Sequence, residues 1–269
     1  MDDTLIINHN AGFFSCCSIR LFQLIDFFNK NKRLPTRIDA SKQFSFYKQN
    51  LFDENEDLNF LFFKDYNHVE ETIEYFENVN FSWDNQFIPY KNIDIQKINF
   101  FIRKYFTLSN FIKNIITETE KKYEINYDNT ISVCYRGNDK CRETNIAKYE
   151  EFFIKCDELN KKNQNCKFFL QTDELEFLKQ FYNNFPNTFH LQEIPVINKN
   201  KDLVVHYTIN PSDKPTFACD ILKSIYMLSK SKHVITHSGN CGMWIYLFRN
   251  NVENFHQYLN HNNNFLGWI

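Results

Sequence analysis

At 269 residues, 43% hydrophobic and 17% aromatic with 30 Phe, the chain has apolar mass for one large or two ordinary domains, which excludes intrinsic disorder. A net charge of −2, from 31 basic and 33 acidic residues, supplies no positive field to draw the protein onto nucleic acid. Eight cysteines without a C-x-x-C pair or paired histidine spacing argue against a zinc module and for reduced thiols.

The first apolar run, Leu5–Ile7, is too short for a membrane span or a signal-peptide core, so the expected location is cytoplasmic, with no transmembrane segment. Abundant Asn, Lys, Ile and Phe against 5 Gly read as the drift of an AT-rich genome. Thr4–Asn10 reads as a strand, Ala11–Ser15 as a turn around Gly12, and Ser15–Lys30 as a helix. In that helix Cys17, Leu21, Leu24, Ile25 and Phe28 fall on one face at three-and-four spacing. Leu34–Asp39 reads as the next strand, so the chain opens as a βαβ unit. Residues 50–95 yield no assignable element beyond turn signals near Asn78 and from Trp83 to Pro89. Ile95–Lys122 reads as two helices parted near Leu108, the second capped by Ser109.

The polar stretch Tyr123–Thr130 predicts a boundary, giving an N-terminal lobe over 1–128 and a C-terminal lobe over 129–269. Beyond it strands and helices alternate. Strands are expected at 131–136, 167–172, 188–191 and 232–237, with helices over 148–159, 175–185 and 217–229 and another from Met243, which is a parallel α/β pattern. The Asn-rich stretch at 260–264 reads as compositional drift.

Three of these strands end in polar groups, where open α/β sheets bind ligands. Ile131–Lys140 stops in Arg136 and Gly137, followed by Asp139 and Lys140; a guanidinium is permanently charged and its rigid fork suits phosphate. Gly137 lets the backbone come close to a ligand. The second strand ends in Thr172-Asp173-Glu174, the third in Thr236-His-Ser-Gly-Asn240. Each residue also has a plain reading: Asp173 as a helix cap, Asp139 as a turn cap, Asp220 as a solvent-facing helical acid. His9 and His237 are placed to reach a cleft from opposite walls, and each has structural uses as well. Cys241 with His237 would make a nucleophile pair, but nothing else in the chain supplies the remaining parts of a cysteine hydrolase.

In order and spacing these strand ends resemble the nucleotide-binding half of the fucosyltransferase superfamily of α1,6-, α1,2- and protein O-fucosyltransferases. Its motifs read roughly H-x-R-R-x-D-K, then T-D-[DE], then a Ser-rich loop before a helix. Here Cys134 stands where the family usually has histidine and Gly137 where it has a second arginine, while Arg136, Asp139 and Lys140 are retained. The opening Ala11-Gly-Phe-Phe14 turn with Leu21-Phe-Gln23 partly matches the family's Gly-rich start, which brings Gly12 into the site. The resemblance implies two Rossmann-like lobes of the GT-B kind and inverting transfer of fucose from GDP-fucose to a hydroxyl of a glycan or glycoconjugate. It implies that Arg136, with Gly137 and Lys140, meets the diphosphate, that Asp173 holds the nucleoside, and that the amides of Ser238, Gly239 and Asn240 meet phosphate. No Asp-x-Asp motif is present, so no metal or other cofactor is expected beside the nucleotide-sugar donor. Glu143 is the expected base for the acceptor hydroxyl, with Asp139 next and then His9 or an acid in 50–95. The rival readings are a non-catalytic nucleotide-sugar or glycan-binding protein of the same fold and a transferase using another nucleotide sugar.

Overall fold

The computed structural model describes residues 3–48, 56–68, 73, 77–200, 205–260 and 266–269. Strand β1 (Thr4–Ile6) leads through a turn into helix α1 (Phe13–Asn31), and β2 (Arg37–Asp39) returns parallel to β1, pairing Thr4 with Arg37 and Ile6 with Asp39. The βαβ opening is thus present, with strands shorter than the sequence suggested and a helix that starts two residues earlier. Cys17, Leu21, Leu24, Ile25 and Phe28 are all buried, as their spacing requires. Residues 50–95, where the sequence offered only turn signals, form the short helix α2 (Asn59–Phe62) and 3₁₀ turns that include Trp83–Phe87, within the turn signal from Trp83, and Tyr90–Asn92; parts of 50–95 lie outside the described residues. Helices α3 (Ile95–Tyr105) and α4 (Asn110–Lys122) follow, and the Ser109 hydroxyl accepts from the amide of Ile112 at 3.2 Å, the expected cap.

The C-terminal part alternates β3 (Thr130–Tyr135), α5 (Tyr149–Lys162), β4 (Lys167–Thr172), α6 (Leu175–Asn184), β5 (Thr188–Phe189), α7 (Lys214–Ser229), β6 (His233–His237), α8 (Asn240–Arg249), β7 (Phe255–Leu259) and β8 (Gly267–Trp268). The sheet order is β5-β4-β3-β6-β7-β8, parallel throughout except for the last pair. β3 is buried along its whole length, as expected of a central strand covered on both faces. Ile131, Val133, Tyr135, Phe168, Leu170 and Ile235 turn to a cluster built with α5 and α6. The alternate residues Cys134, Phe169 and Val234 join the larger cluster of α7, α8 and the N-terminal helices. That cluster runs from Phe14 and Leu21 to Trp244 and Leu247, so the residues on either side of position 128 share one core.

Two of the departures from expectation lie near the ends of β6 and β7. Helix α8 begins at Asn240, three residues before Met243. The Asn-rich stretch opens with a structural residue: Asn260 is fully buried, its side-chain amide donates to Thr144 Oγ1 at 3.0 Å and its Oδ1 accepts from the amide of Ser238 at 3.1 Å. The rest of that stretch, 261–264, lies outside the described residues.

Candidate functional site

From β3 the chain goes to β4 and β5 on one side, then crosses back to β6 on the other, so the C-terminal ends of β3 and β6 mark the switch point where such sheets bind ligands. Arg136 directly follows β3. Its backbone amide donates to Nε2 of His237, the last residue of β6, at 2.8 Å, and Nδ1 of that ring lies 2.8 Å from the carbonyl of Ser238. Burial pulls His237 down to about 4, so the ring is neutral, donating from Nδ1 and accepting at Nε2. It stitches the two strand ends together and lies inside the protein, away from the cleft.

The Arg136 side chain is held on three sides. Nε donates to Asp173 at 2.7 Å, Nη2 to Asp139 at 3.0 Å, and Nη1 lies 3.6 Å from the Cys241 sulfur. Burial opposes the charge, but Asp173, Cys241 and Asp139 outweigh it and hold the guanidinium above its ordinary range. Burial likewise pushes Asp139 up, and Arg136 with Lys140 more than offsets this, leaving its carboxyl below the usual value. Asp173 also accepts from the amide of Gly137 at 2.9 Å, and its carbonyl accepts from the Asn138 side chain at 2.6 Å. Both carboxylate oxygens of Asp173 are therefore occupied, one by the Arg136 guanidinium and the other by the Gly137 amide.

A cavity of about 700 Å³ opens beside this cluster, within the size range of small-molecule sites. Of the residues singled out from sequence, Gly12, Arg136, Asp139, Lys140, Glu143 and Asn240 line it, bringing the N-terminal turn against the switch point. Lys140 and Glu143 pair with each other at 2.6 Å. Gly137, Asp173, Ser238 and Gly239 are not among the lining residues. Gly137 has a steric reason instead: a Cβ there would lie 1.8 Å from Oε2 of the fully buried Glu174. Ser238 gives its amide to the carbonyl of Tyr258 and its hydroxyl accepts from Gln257 at 3.0 Å. The Gly239 amide goes to the Gln86 carbonyl at 2.8 Å, with φ at +136°, a conformation suited to glycine. Of the three amides expected in the Ser238–Asn240 loop, those of Ser238 and Gly239 are bonded within the protein, while the amides of Asn240 and of Cys241 after it, at the start of α8, are used by no described hydrogen bond.

Sequence reasoning missed the aromatic part of the lining, Phe46, Tyr47, Trp83, Phe87 and Tyr207. Trp83 lay within a turn signal, but nothing in the chain revealed that its turn is bolted to the β6–α8 loop. Gln257 accepts from the Tyr90 amide at 2.8 Å and donates to the Ile88 carbonyl at 3.0 Å, while the Tyr90 hydroxyl lies 3.0 Å from the Gly239 carbonyl. Asp220, read as a solvent-facing acid, is instead buried in an ion pair with Lys223 at 2.7 Å, outside this cavity. Among the described residues no group of three or more His, Cys, Asp or Glu side chains is placed to hold a metal, and no helix is long and apolar enough to cross a membrane.

Fold and crevice together define a mixed α/β protein of the GT-B-like kind. Three solved structures share this fold. The NodZ α-1,6-fucosyltransferase co-crystallised with GDP superposes with a TM-score of 0.54 at 15% identity, covering 100% of this chain and 98% of that one. The same enzyme soaked with GDP-fucose gives 0.58 at 14% identity, and NodZ from Bradyrhizobium 0.57 at 14%, each over 100% of this chain and 99% of the other. No protein-family model and no curated protein sequence matches the chain.

Proposed function

We propose that the protein is an inverting glycosyltransferase that moves fucose from GDP-fucose to a hydroxyl of a glycan or glycoconjugate. One observation carries the reading: a guanidinium locked by Asp173 and Asp139 at the switch point faces a 700 Å³ cavity beside the N-terminus of α8. Breaking the bond from sugar to diphosphate builds negative charge on the leaving oxygen, and donors already fixed in place stabilise that charge without reorganising. Arg136 supplies a charge-assisted fork, Lys140 a second cation, and the Asn240 and Cys241 amides the positive end of the α8 dipole. This set does the work that a divalent ion does in other transferases, so turnover is expected to persist in chelator. Guanine as the base and fucose as the sugar are taken from the GDP and GDP-fucose named for the NodZ structures.

The test is a thermal-shift comparison of GDP, UDP, ADP and CDP at equal concentration, followed by release of GDP from GDP-fucose in EDTA. GDP should give the largest stabilisation. A larger shift with UDP replaces the donor, and binding without turnover on any donor favours a non-catalytic sugar-nucleotide binder. Loss of turnover in EDTA, restored by magnesium or manganese, removes the metal-free chemistry.

A further inference from the structure

Transfer to a hydroxyl leaves a proton that a base must take, and a side chain suits this best when its pKa is near the working pH. Both carboxylates on the cavity already hold a cation, Asp139 with Arg136 at 3.0 Å and Glu143 with Lys140 at 2.6 Å. On the α1 side the cavity is lined by Ser15, whose hydroxyl lies 3.0 Å from Nε2 of His9. We infer that Ser15 and His9 form a proton relay that deprotonates the acceptor hydroxyl, a step that rests on the transferase reading above.

The loop that carries the pair is braced. The Ser15 amide donates to the Gly12 carbonyl at 2.9 Å as α1 begins, while the Cys16 thiol lies 3.5 Å from the His9 carbonyl and accepts from the Ala11 amide at 3.4 Å. The imidazole is thus kept on the serine. Burial alone lowers the pKa of His9, so the ring is neutral and able to accept near pH 7. Cys16 is the titratable group packed on the same loop, and burial keeps its thiol protonated; across the cavity stand Arg136, Lys140, Asp139 and Glu143 in their two pairs. In the reaction the bond from the anomeric carbon to the phosphate oxygen breaks and its electron pair leaves with GDP. The acceptor oxygen bonds to that carbon and gives its proton to Ser15 Oγ, while the proton of Ser15 passes to His9 Nε2. The imidazolium later returns the proton to solvent.

Hydrolysis of GDP-fucose with water as the acceptor tests this without an identified glycan. The pH profile from about pH 5 to about pH 9 is measured for the wild type, His9→Gln, Ser15→Ala and Glu143→Gln. The wild-type rate should fall on the acid side as His9 becomes protonated. His9→Gln and Ser15→Ala should each lose about 10²-fold and flatten that acid limb while still binding GDP, and Glu143→Gln should retain the limb. Should His9→Gln unfold, Ser15→Ala, which removes one oxygen, decides by the same readout. A wild-type rate or an intact acid limb in the decisive variant overturns the relay, as does loss of the limb in Glu143→Gln. A wild type that neither binds GDP nor hydrolyses the donor brings down the transferase reading and the relay together.

Discussion

Replacing Asp173 by asparagine separates a residue that aims Arg136 from one that touches the nucleoside. The carboxylate is 6% exposed and accepts from Arg136 Nε at 2.7 Å and from the Gly137 amide at 2.9 Å. Asparagine keeps the shape and its carbonyl can still accept from Gly137, but its amide group then meets the Arg136 N–H, donor against donor. One charge-assisted hydrogen bond is lost, worth about 1.5–3 kcal/mol. The larger cost of about 3–5 kcal/mol for stranding a buried charge does not apply, because Asp139 still holds the guanidinium and 20% of the Arg136 side chain is exposed. At about 2–4 °C per kcal/mol, the melting temperature should fall by about 3–12 °C. Differential scanning calorimetry of Asp173→Asn, Arg136→Met and the double variant checks this. Without Arg136 the asparagine substitution should cost less than about 1 kcal/mol, since only the Gly137 contact remains and is kept. An equal loss with and without Arg136 refutes the positioning role. An unchanged melting temperature with an altered preference between GDP and UDP would return Asp173 to the nucleoside.

Arg136→Ala should weaken GDP binding by about 1.5–3 kcal/mol in calorimetry, and unchanged affinity would remove Arg136 from the diphosphate. Gly137→Ala should destabilise by about 1–3 kcal/mol, because the new methyl overlaps Glu174 Oε2, and adding Glu174→Ala should recover part of the loss in chemical denaturation. His237, held by burial at about 4 in the folded state and about 6.5 in the unfolded chain, takes up its proton first when unfolded. Its contribution is intact above about pH 6.5 and lost as pH falls toward 4, on the order of 3 kcal/mol, and His237→Gln should flatten the stability curve in that window. A slope unchanged by the substitution contradicts this.

The amino-acid sequence alone determined whatever rests on local periodicity and on single caps. The one-sided apolar spacing of Cys17, Leu21, Leu24, Ile25 and Phe28 made α1, and Ser109 started α4. The apolar runs of β3, β4 and β6, closed by polar residues, placed Arg136, Asp173 and Asn240 at the edge of one sheet. Strand β7 was illegible because Gln257 reads as a polar residue, yet it is buried with both ends of its amide bonded to residues far away in the chain. The aromatic part of the lining was hidden for the same reason, since the turn carrying Trp83 has no apolar period and is held by Gly239 and Gln257. Only the tertiary structure decided which strand-end residues face the cavity and which face one another. Asp173 turned inward to Arg136, Ser238 and Gly239 gave their amides to the protein, and His9 met Ser15, because a polar group taken out of water is costly unless it is hydrogen-bonded and only the tertiary structure supplies these partners.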